Sequence, residues 1–214
     1  MLIPPDQLLV FALASLALLL IPGPAVLYIV TRSAAQGSAA GVASVLGIQC
    51  GGMVHVLMAS LGLSAILLSS ALAFSLVKYA GAAYLVYLGL RTWFSREPLE
   101  LGAAARQPLR QIFLQGFVVN VLNPKTALFF FAFLPQFVDP ARGAAWLQFL
   151  LLGVVFIALA TLSDGAYAFL SSSLGGWLRR KAREPRFAQG QRLVTGGIYI
   201  GLGLTAALTG NRHK

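Results

Sequence analysis

Two charged side chains, Lys125 and Asp164, stand inside long uncharged stretches of this 214-residue sequence. Lys125 has 14 uncharged residues before it and 13 after it, and Asp164 is the only acid between Arg142 and Arg179. A charge in the middle of a membrane costs at least about 2.5–3.5 kcal/mol, and it usually marks a transport pathway or a charged partner. Asp164 could therefore pair with Lys125, bind a substrate ammonium or carry a proton.

Each of these two residues also has a purely structural interpretation. Residues 112–123 could form a re-entrant or surface segment, in which case Lys125 would extend its long side chain to the membrane surface. Asp164 could cap the end of a neighbouring helix as a satisfied buried polar group. The sequence alone leaves both interpretations open.

Prolines interrupt two of the apolar stretches, at Pro22-Gly23-Pro24 and at Asn123-Pro124, the second directly before Lys125. Because proline lacks an N–H and clashes with the preceding turn, carbonyls around residues 18–20 and near Asn120 should lose their helical partners. Unpaired carbonyls are costly in lipid, so both breaks should face protein or water. Each resumed helix would direct a partly positive N-terminus towards the centre of the protein, where a small anionic group could bind. A packing kink is the alternative.

A polar stripe surrounds Asp164 in its apolar stretch. Thr161, Asp164, Ala168 and Ser171 recur every three or four residues, and Tyr167 lies beside them. Residues at this spacing share one face of a helix. A polar face on a membrane-spanning helix should point to the protein interior or to a cavity.

His55 continues a stripe of small residues, Gly47 and Gly51, at four-residue spacing. Such stripes mark close helix packing, so His55 should face the helix bundle, and Gln49 is a weaker candidate of the same kind. Imidazole titrates near neutral pH, so His55 and Asp164 are the proton-coupling candidates, although a plain interhelical hydrogen bond is the alternative for His55. No metal-ligand cluster is expected. The candidate substrate-binding residues are Pro22, Gly23, Pro24, Asn120, Asn123, Pro124, Lys125, Asp164 and Tyr167.

The sequence predicts an all-α integral membrane protein, whose helices must position these groups. Hydrophobic residues make up 58% of the chain and charged residues only 10%, whereas about a quarter of the residues in a soluble domain are charged. A run of about 18 or more apolar residues is a candidate membrane span. The sequence predicts one domain over residues 1–214 with six spans, at 7–30, 41–63, 72–93, 112–136, 146–173 and 192–210.

Positive charge is distributed unevenly between the two sides of this predicted topology. The loops after the odd-numbered spans carry 11 Lys and Arg residues, mainly in the basic loops 94–111 and 174–191, against four on the other side. Lys and Arg accumulate in cytoplasmic loops, so both termini should be periplasmic. The net charge of +10 is thus a topology signal and does not indicate nucleic-acid binding.

The two halves of the chain, residues 1–94 and 111–210, look related. The segments 78–90 and 192–204 both begin with a cation and end in Leu-Gly-Leu, and the first and fourth spans both contain a proline break. Because each half has three spans, a duplicated half would insert upside down, as in transporters built from inverted repeats. A chance match of short apolar strings is the alternative.

These motifs resemble those of the lysine-exporter (LysE/RhtB) family of amino-acid exporters. The similar segments follow the family order over nearly the whole chain: Ile21-Pro22-Gly23-Pro24, Asn123-Pro124-Lys125-Thr126, the third-span string 81–89, and Asp164 with Tyr167. The resemblance implies efflux of amino acids or close derivatives across a bacterial inner membrane, driven by the proton gradient. The family includes exporters of basic, neutral and hydroxylated amino acids, so the substrate stays open.

The residues and the resemblance combine into one hypothesis, an amino-acid exporter that works by proton antiport and is not an enzyme. Lys125 and the helix N-terminus at Gly23 would hold the substrate carboxylate, while Asp164 would hold its ammonium or exchange a proton for it. The expected partners are an amino acid, protons and the lipid bilayer, with no nucleic acid and no cofactor, and a homo-oligomer stays open. A passive channel, and a membrane enzyme or assembly factor with the same cavity, are the alternatives.

Overall fold

A computed structural model describes residues 2–63, 65, 71–94 and 106–181, residues 189 and 190, and single positions from 193 to 207. The regular structure within these residues is helical and includes no strand, as predicted. The helices are α1 (Pro5–Leu19), α2 (Pro24–Gln36), α3 (Ser38–Met58), α4 (Ala71–Phe94), α5 (Leu109–Val121), α6 (Pro124–Leu128) and α7 (Ala145–Lys181). Shorter turns are π-helical at Ala59–Leu63 and Phe129–Phe133 and 3₁₀-helical at Leu134–Phe137 and Pro140–Arg142.

The first predicted span, 7–30, consists of two helices, α1 and α2, whose axes differ by 56°. Pro22 and Pro24 have no N–H to continue the hydrogen-bond ladder, and Gly23 between them is extended, with φ −116° and ψ −170°. Gly23 is the N-cap of α2 and Pro24 is its first residue, a position where a missing N–H costs nothing. The predicted break in this span is confirmed.

The fourth predicted span, 112–136, is broken in the same way. Helix α5 ends at Val121, and the helical segment Pro124–Phe137 continues at an angle of 44° to it. Asn123, the residue before Pro124, caps the new helix, because its side-chain Oδ1 accepts a hydrogen bond from the Lys125 backbone N–H at 3.1 Å. This break is also confirmed.

Two helical segments, Ser38–Leu63 and Ala145–Ser173, are long and apolar enough to cross a membrane, judged by length and composition. Counting each bent pair as one span gives up to four within the described residues. The third predicted span, 72–93, coincides with the 24-residue helix α4. The sixth, 192–210, and most of the basic loop 94–111 fall largely outside the described residues, so the count of six stays a prediction.

Helix α7 is longer than the predicted fifth span. It runs from Ala145 to Lys181, whereas the sequence analysis placed a basic loop at 174–191. Residues 178–181 are Leu-Arg-Arg-Lys, which are good helix formers, and the first proline after the span is Pro185. The part of this helix that is apolar enough to span a membrane, Ala145–Ser173, agrees with the predicted span 146–173. The helix continues beyond it, and the location of the basic loop in the cytoplasm stays a prediction.

Helices α3 and α5 approach each other closely along a stripe of glycines. A Cβ atom added at Gly47 or Gly51 would collide with the backbone carbonyl of Phe113 or Phe117, respectively. Any side chain larger than hydrogen at these positions would push the two helices apart. The predicted packing role of this stripe is confirmed.

A phenylalanine cluster fills the interior between α1, α7 and the π-helical turn at Phe129–Phe133. Phe11, Phe130 and Phe149 are completely buried in it. The ring of Phe156 on α7 stacks on that of Phe129, with 4.8 Å between the ring centroids. This cluster fixes the relative positions of the elements that carry the two buried charges.

The two bent pairs pack against the straight helices α3 and α7. Helix α2 packs on both of them, α1 packs on α7, α5 packs on α3, and α3 and α7 contact each other. The inverted orientation of the repeats and the periplasmic location of the termini stay predictions.

Candidate functional site

The two helix breaks meet around one small cavity inside the helix bundle. The centres of water molecules can occupy about 30 Å³ of it, which is room for about two waters. Gly23 at the first break leaves space on one side. The polar part of the wall consists of Gln49, Asn120, Asn123, Lys125, Thr126 and Asp164.

Lys125 lies inside the protein with 7% of its surface exposed, so the interpretation in which it extends to the membrane surface does not hold. Its Nζ donates a hydrogen bond to the carbonyl oxygen of Ile21 at 2.7 Å, across the first helix break. Gly23 makes room for this side chain, because a Cβ there would lie 3.2 Å from Lys125 Cδ. An ammonium has three donors, so two have no partner in the described part of the chain and can bind water or a ligand.

Asp164 reaches the same cavity from α7 and is 3% exposed. Its Oδ2 accepts a hydrogen bond from Gln49 Nε2 on α3 at 2.8 Å, while its Oδ1 has no partner within the described residues. The carboxylate and the Lys125 ammonium are more than 4.0 Å apart and form no direct ion pair in the described part of the chain. Two opposite charges therefore face one cavity without touching.

The asparagines of the second break form a closed hydrogen-bond network. Asn120 Nδ2 donates to the carbonyl oxygen of Ile48 at 2.6 Å, and its Oδ1 accepts from Thr126 Oγ1 at 2.9 Å and from Asn123 Nδ2 at 3.3 Å. Asn123 Oδ1 is occupied by the cap bond to the Lys125 N–H. Both side chains line the cavity, and their hydrogen bonds hold the backbone of the break in place.

The carbonyls released by the first break agree in part with the prediction around residues 18–20, since Leu20 is among them and Leu18 is not. The carbonyl oxygen of Leu18 is paired, because it accepts a hydrogen bond from Ile21 N at 3.2 Å as the chain tightens before Pro22. The oxygens that accept from distant side chains are those of Leu20 and Ile21. Tyr167 Oη donates to Leu20 O at 2.9 Å, so Tyr167 braces the break next to the cavity but is not part of its wall.

His55 does not line the cavity but contacts the second break from α3. Its Nε2 must be the donor to the main-chain oxygen of Asn120, at 2.9 Å, because a carbonyl only accepts. The His55 ring stacks on Phe130, and its buried Nδ1 has no hydrogen-bond partner in the described residues. The interhelical hydrogen bond weighed as an alternative is thus present. The Asn120 carbonyl also accepts a hydrogen bond from Asn123 N at 3.0 Å, so it keeps a main-chain partner and the predicted release of a carbonyl near residue 120 is not confirmed.

The cavity also contains residues that the sequence analysis did not single out. Thr126 follows Lys125 in the Asn-Pro-Lys-Thr motif, and that position is a signal that could have identified it. The apolar wall has no comparable signal, because aliphatic side chains that line a cavity and those packed in the interior look alike in sequence. Pro22, Pro24 and Pro124 shape the breaks from outside this wall. The apolar wall consists of Leu18, Leu19, Ala25, Val26, Ile48, Phe156 and Ala160.

The chain is similar to known proteins over most of its length. The profile of the LysE type translocator family matches residues 16–210. A homoserine/homoserine lactone efflux protein of Salmonella typhimurium (strain LT2) is 31% identical, over 95% of this chain and 96% of that protein. An uncharacterized membrane protein of Pseudomonas aeruginosa is 33% identical over 92% and 93% of the two chains, and a leucine efflux protein of Salmonella choleraesuis is 26% identical over 75% and 74%. No solved structure matches the chain significantly.

The matched region begins near the end of α1 and includes both helix breaks, the residues that line the cavity and helix α7. The relatives of similar length are aligned almost from end to end, so the similarity is not confined to a shared apolar segment. This membrane protein therefore belongs to the family of LysE type translocators, as its sequence motifs predicted.

Proposed function

We propose that the protein exports amino acids or close derivatives across the bacterial inner membrane in exchange for protons. The observation that carries the proposal is the pair of opposite charges, Lys125 and Asp164, that face one buried cavity without touching. A zwitterionic amino acid has the complementary pair of charges on neighbouring atoms. Two relatives are efflux proteins for homoserine and for leucine, which supports amino acids as the substrate class.

The substrate carboxylate would bind at Lys125. Two donors of this ammonium are unused, and α2 begins beside it at Gly23, so the partial positive charge of the helix end adds to the attraction. The substrate ammonium would bind Asp164 Oδ1, the carboxylate oxygen without a partner. Each end of the substrate would thus pair with a buried group that is incompletely paired without it.

Proton exchange would take place at Asp164, with the His55 imidazole as a second candidate. An ionised Asp164 open to the cytoplasm would bind the substrate ammonium, and a proton from the periplasm would then neutralise Asp164 and release the substrate. The protonated carboxyl would return to the cytoplasmic side and lose its proton there. One proton would enter the cytoplasm for each substrate molecule that is released into the periplasm.

The cavity as it stands holds about two waters, so it must widen to admit an amino acid. In transporters built from two repeats, the halves rock around a central site and open it to each side in turn. The hydrogen bonds that cross the cavity, from Lys125 to Ile21 and from Gln49 to Asp164, would break or form in such a motion. Reporter fusions at residues 105 and 214 test the topology, since the first should be cytoplasmic and the second periplasmic.

Purified protein in proteoliposomes tests the function. An imposed pH gradient should drive leucine or homoserine against its concentration gradient, and a protonophore should abolish the accumulation. A passive channel would move the amino acid only down its own gradient, whatever the pH difference. A membrane enzyme or assembly factor would move no solute, so flux equal to that of empty liposomes for every amino acid would contradict the proposal.

A further inference from the structure

The two charged residues of the cavity match the carboxylate and the ammonium of an amino acid, so no further charged group of the wall is available to bind the substrate side chain. Lys125 and Asp164 would be used by the substrate carboxylate and ammonium. The neutral polar groups around them are largely paired within the protein, since Gln49 Nε2 binds Asp164 and Thr126 Oγ1 binds Asn120. The substrate side chain must therefore be accommodated by the remaining, apolar part of the wall.

The apolar wall has one part on α2 and α3, at Ala25, Val26 and Ile48, and a second part that follows α7 on the N-terminal side of Asp164. Phe156, Ala160 and Asp164 follow one another at four-residue spacing, so they lie on the same face of the helix. At a rise of about 1.5 Å per residue, Ala160 lies about 6 Å and Phe156 about 12 Å along the helix from Asp164. Leu18 and Leu19 of α1 belong to the same buried apolar cluster as Phe156 and Ala160, and these four residues form what we name the apolar end of the cavity.

We infer that the substrate side chain points into the apolar end, that the protein selects amino acids with neutral, mainly apolar side chains, and that Ala160 limits their size. This inference rests on the proposed export function and adds to it a substrate class and a specificity-determining residue. A lysine or glutamate side chain would bring a third charge against aliphatic and aromatic atoms, where no group can pair with it, and such burial is strongly unfavourable.

Ala160 limits the size of the side chain because the rest of the apolar end cannot easily retreat. The ring of Phe156 is held by Phe129 and Phe130, with centroids 4.8 and 5.2 Å away. Interiors packed in this way respond to added volume with strain. The methyl group of Ala160, between Phe156 and Asp164, is the smallest side chain on this face and leaves the space that a substrate side chain would enter.

Transport by the wild-type protein in proteoliposomes with a pH gradient tests the substrate class. Alanine, leucine, homoserine, lysine and glutamate are compared under the same gradient. We expect leucine to be exported at least about a hundredfold more efficiently than lysine or glutamate, since a site rejects strongly a ligand that leaves a polar group unpaired. Export of lysine or glutamate as efficient as that of leucine would overturn the inference and leave the export function intact, whereas no export of any amino acid would contradict the export function itself.

Substitutions at residue 160 test whether the substrate side chain binds beside Ala160. In Ala160→Leu, and to a smaller degree in Ala160→Val, leucine export should fall about tenfold or more relative to alanine export, because a filled pocket excludes the larger side chain first. The matched control is Ala166→Leu, the same change at an exposed position of α7, which should leave the ratio unchanged. Equal loss of alanine and leucine export in both variants at residue 160, including complete loss of both, would overturn the role of Ala160.

Discussion

The two helix breaks that meet at the cavity are held in different ways. At the first break, between α1 and α2, the carbonyls of Leu20 and Ile21 accept hydrogen bonds from Tyr167 and Lys125, which belong to distant helices. At the second break, between α5 and α6, two asparagines and a threonine of the break itself form most of the hydrogen bonds. The first break is therefore held by the other half of the chain, and the second is held mainly by its own residues.

This difference indicates which break can change shape during transport. The second break keeps most of its own hydrogen bonds when neighbouring helices move, and only Asn120 joins it to Ile48 and His55 of α3. The first break depends on α6 and α7. Lys125 belongs to the second, largely self-contained break and reaches across to Ile21. A substrate carboxylate that competes for this ammonium would weaken the contact between the halves, and binding would then shift the population of conformations.

The largest effect is expected for Asp164→Asn, which removes the acidic side of the cavity. An amide carries neither the charge that binds the substrate ammonium nor the proton. Loss of one partner of a buried charge pair costs about 3–5 kcal/mol, so substrate affinity should fall by more than about a hundredfold, and flux driven by a pH gradient should disappear. The control is Asp139→Asn, an exposed aspartate near Arg142 in which wild-type flux is expected. Wild-type flux in Asp164→Asn would exclude the proposed coupling.

The next effect is expected for Lys125→Met, which keeps the length of the side chain and removes its charge. A hydrogen bond to a charged group contributes about 1.5–3 kcal/mol, so the dissociation constant for substrate should rise about tenfold to a hundredfold. The carbonyl of Ile21 also loses its donor, and the protein should become less stable. Equilibrium binding and thermal unfolding measure the two changes, with Arg142→Met at an exposed site as the control. An unchanged dissociation constant would remove Lys125 from the binding site.

A smaller effect is expected for Gly23→Ala at the first break. The added Cβ would lie 3.2 Å from Lys125 Cδ, so the lysine must move by a few tenths of an ångström. Substrate affinity should fall several-fold while the protein still folds. Gly165→Ala is the matched control on α7, where a Cβ meets nothing within 4 Å and should be neutral or stabilising. Equal affinities in the two variants would mean that the position of Lys125 at the first break does not matter for binding.

The smallest effect on transport is expected for Asn123→Ala, which weakens the self-contained break. Loss of an N-cap side chain costs about 0.5–2 kcal/mol of stability. Thermal unfolding should detect this cost, while the selectivity between substrates should stay close to that of the wild type. Tyr167→Phe, which removes a hydrogen bond from the first break, should cost less stability because Tyr167 is half-buried and water can replace its hydroxyl. A larger stability loss in Tyr167→Phe than in Asn123→Ala would reverse the comparison between the breaks.

Local chemistry explains what the sequence predicted correctly. Proline disrupts the interior of a helix and is accepted at its first residue, so both bends and the N-cap role of the residue before Pro24 follow from residue type alone. The uncharged surroundings of Lys125 and Asp164 marked them as buried for the same kind of reason, and the order of the motifs identified the family.

Contacts between distant residues explain what the sequence could not supply. The partner of Asp164 is Gln49, 115 residues away, and no local pattern connects the two. Leu20 lies within the predicted range of released carbonyls, whereas the pairing of Leu18 and the contact of Ile21 with Lys125 depend on how tightly the chain turns before Pro22. Helix α7 continues past the predicted span because a change from apolar to basic residues marks the end of a span but does not stop a helix.

The central claim is that Lys125 binds the carboxylate and Asp164 binds the ammonium of one substrate. Calorimetric binding of leucine, isoamylamine and isocaproate tests it directly, because the last two are leucine without its carboxylate and without its ammonium, respectively. The wild-type protein should bind leucine much more tightly than either analogue. Lys125→Met should bind leucine and isoamylamine equally, and Asp164→Asn should bind leucine and isocaproate equally. An undiminished preference for leucine over isoamylamine in Lys125→Met, or over isocaproate in Asp164→Asn, would contradict the account.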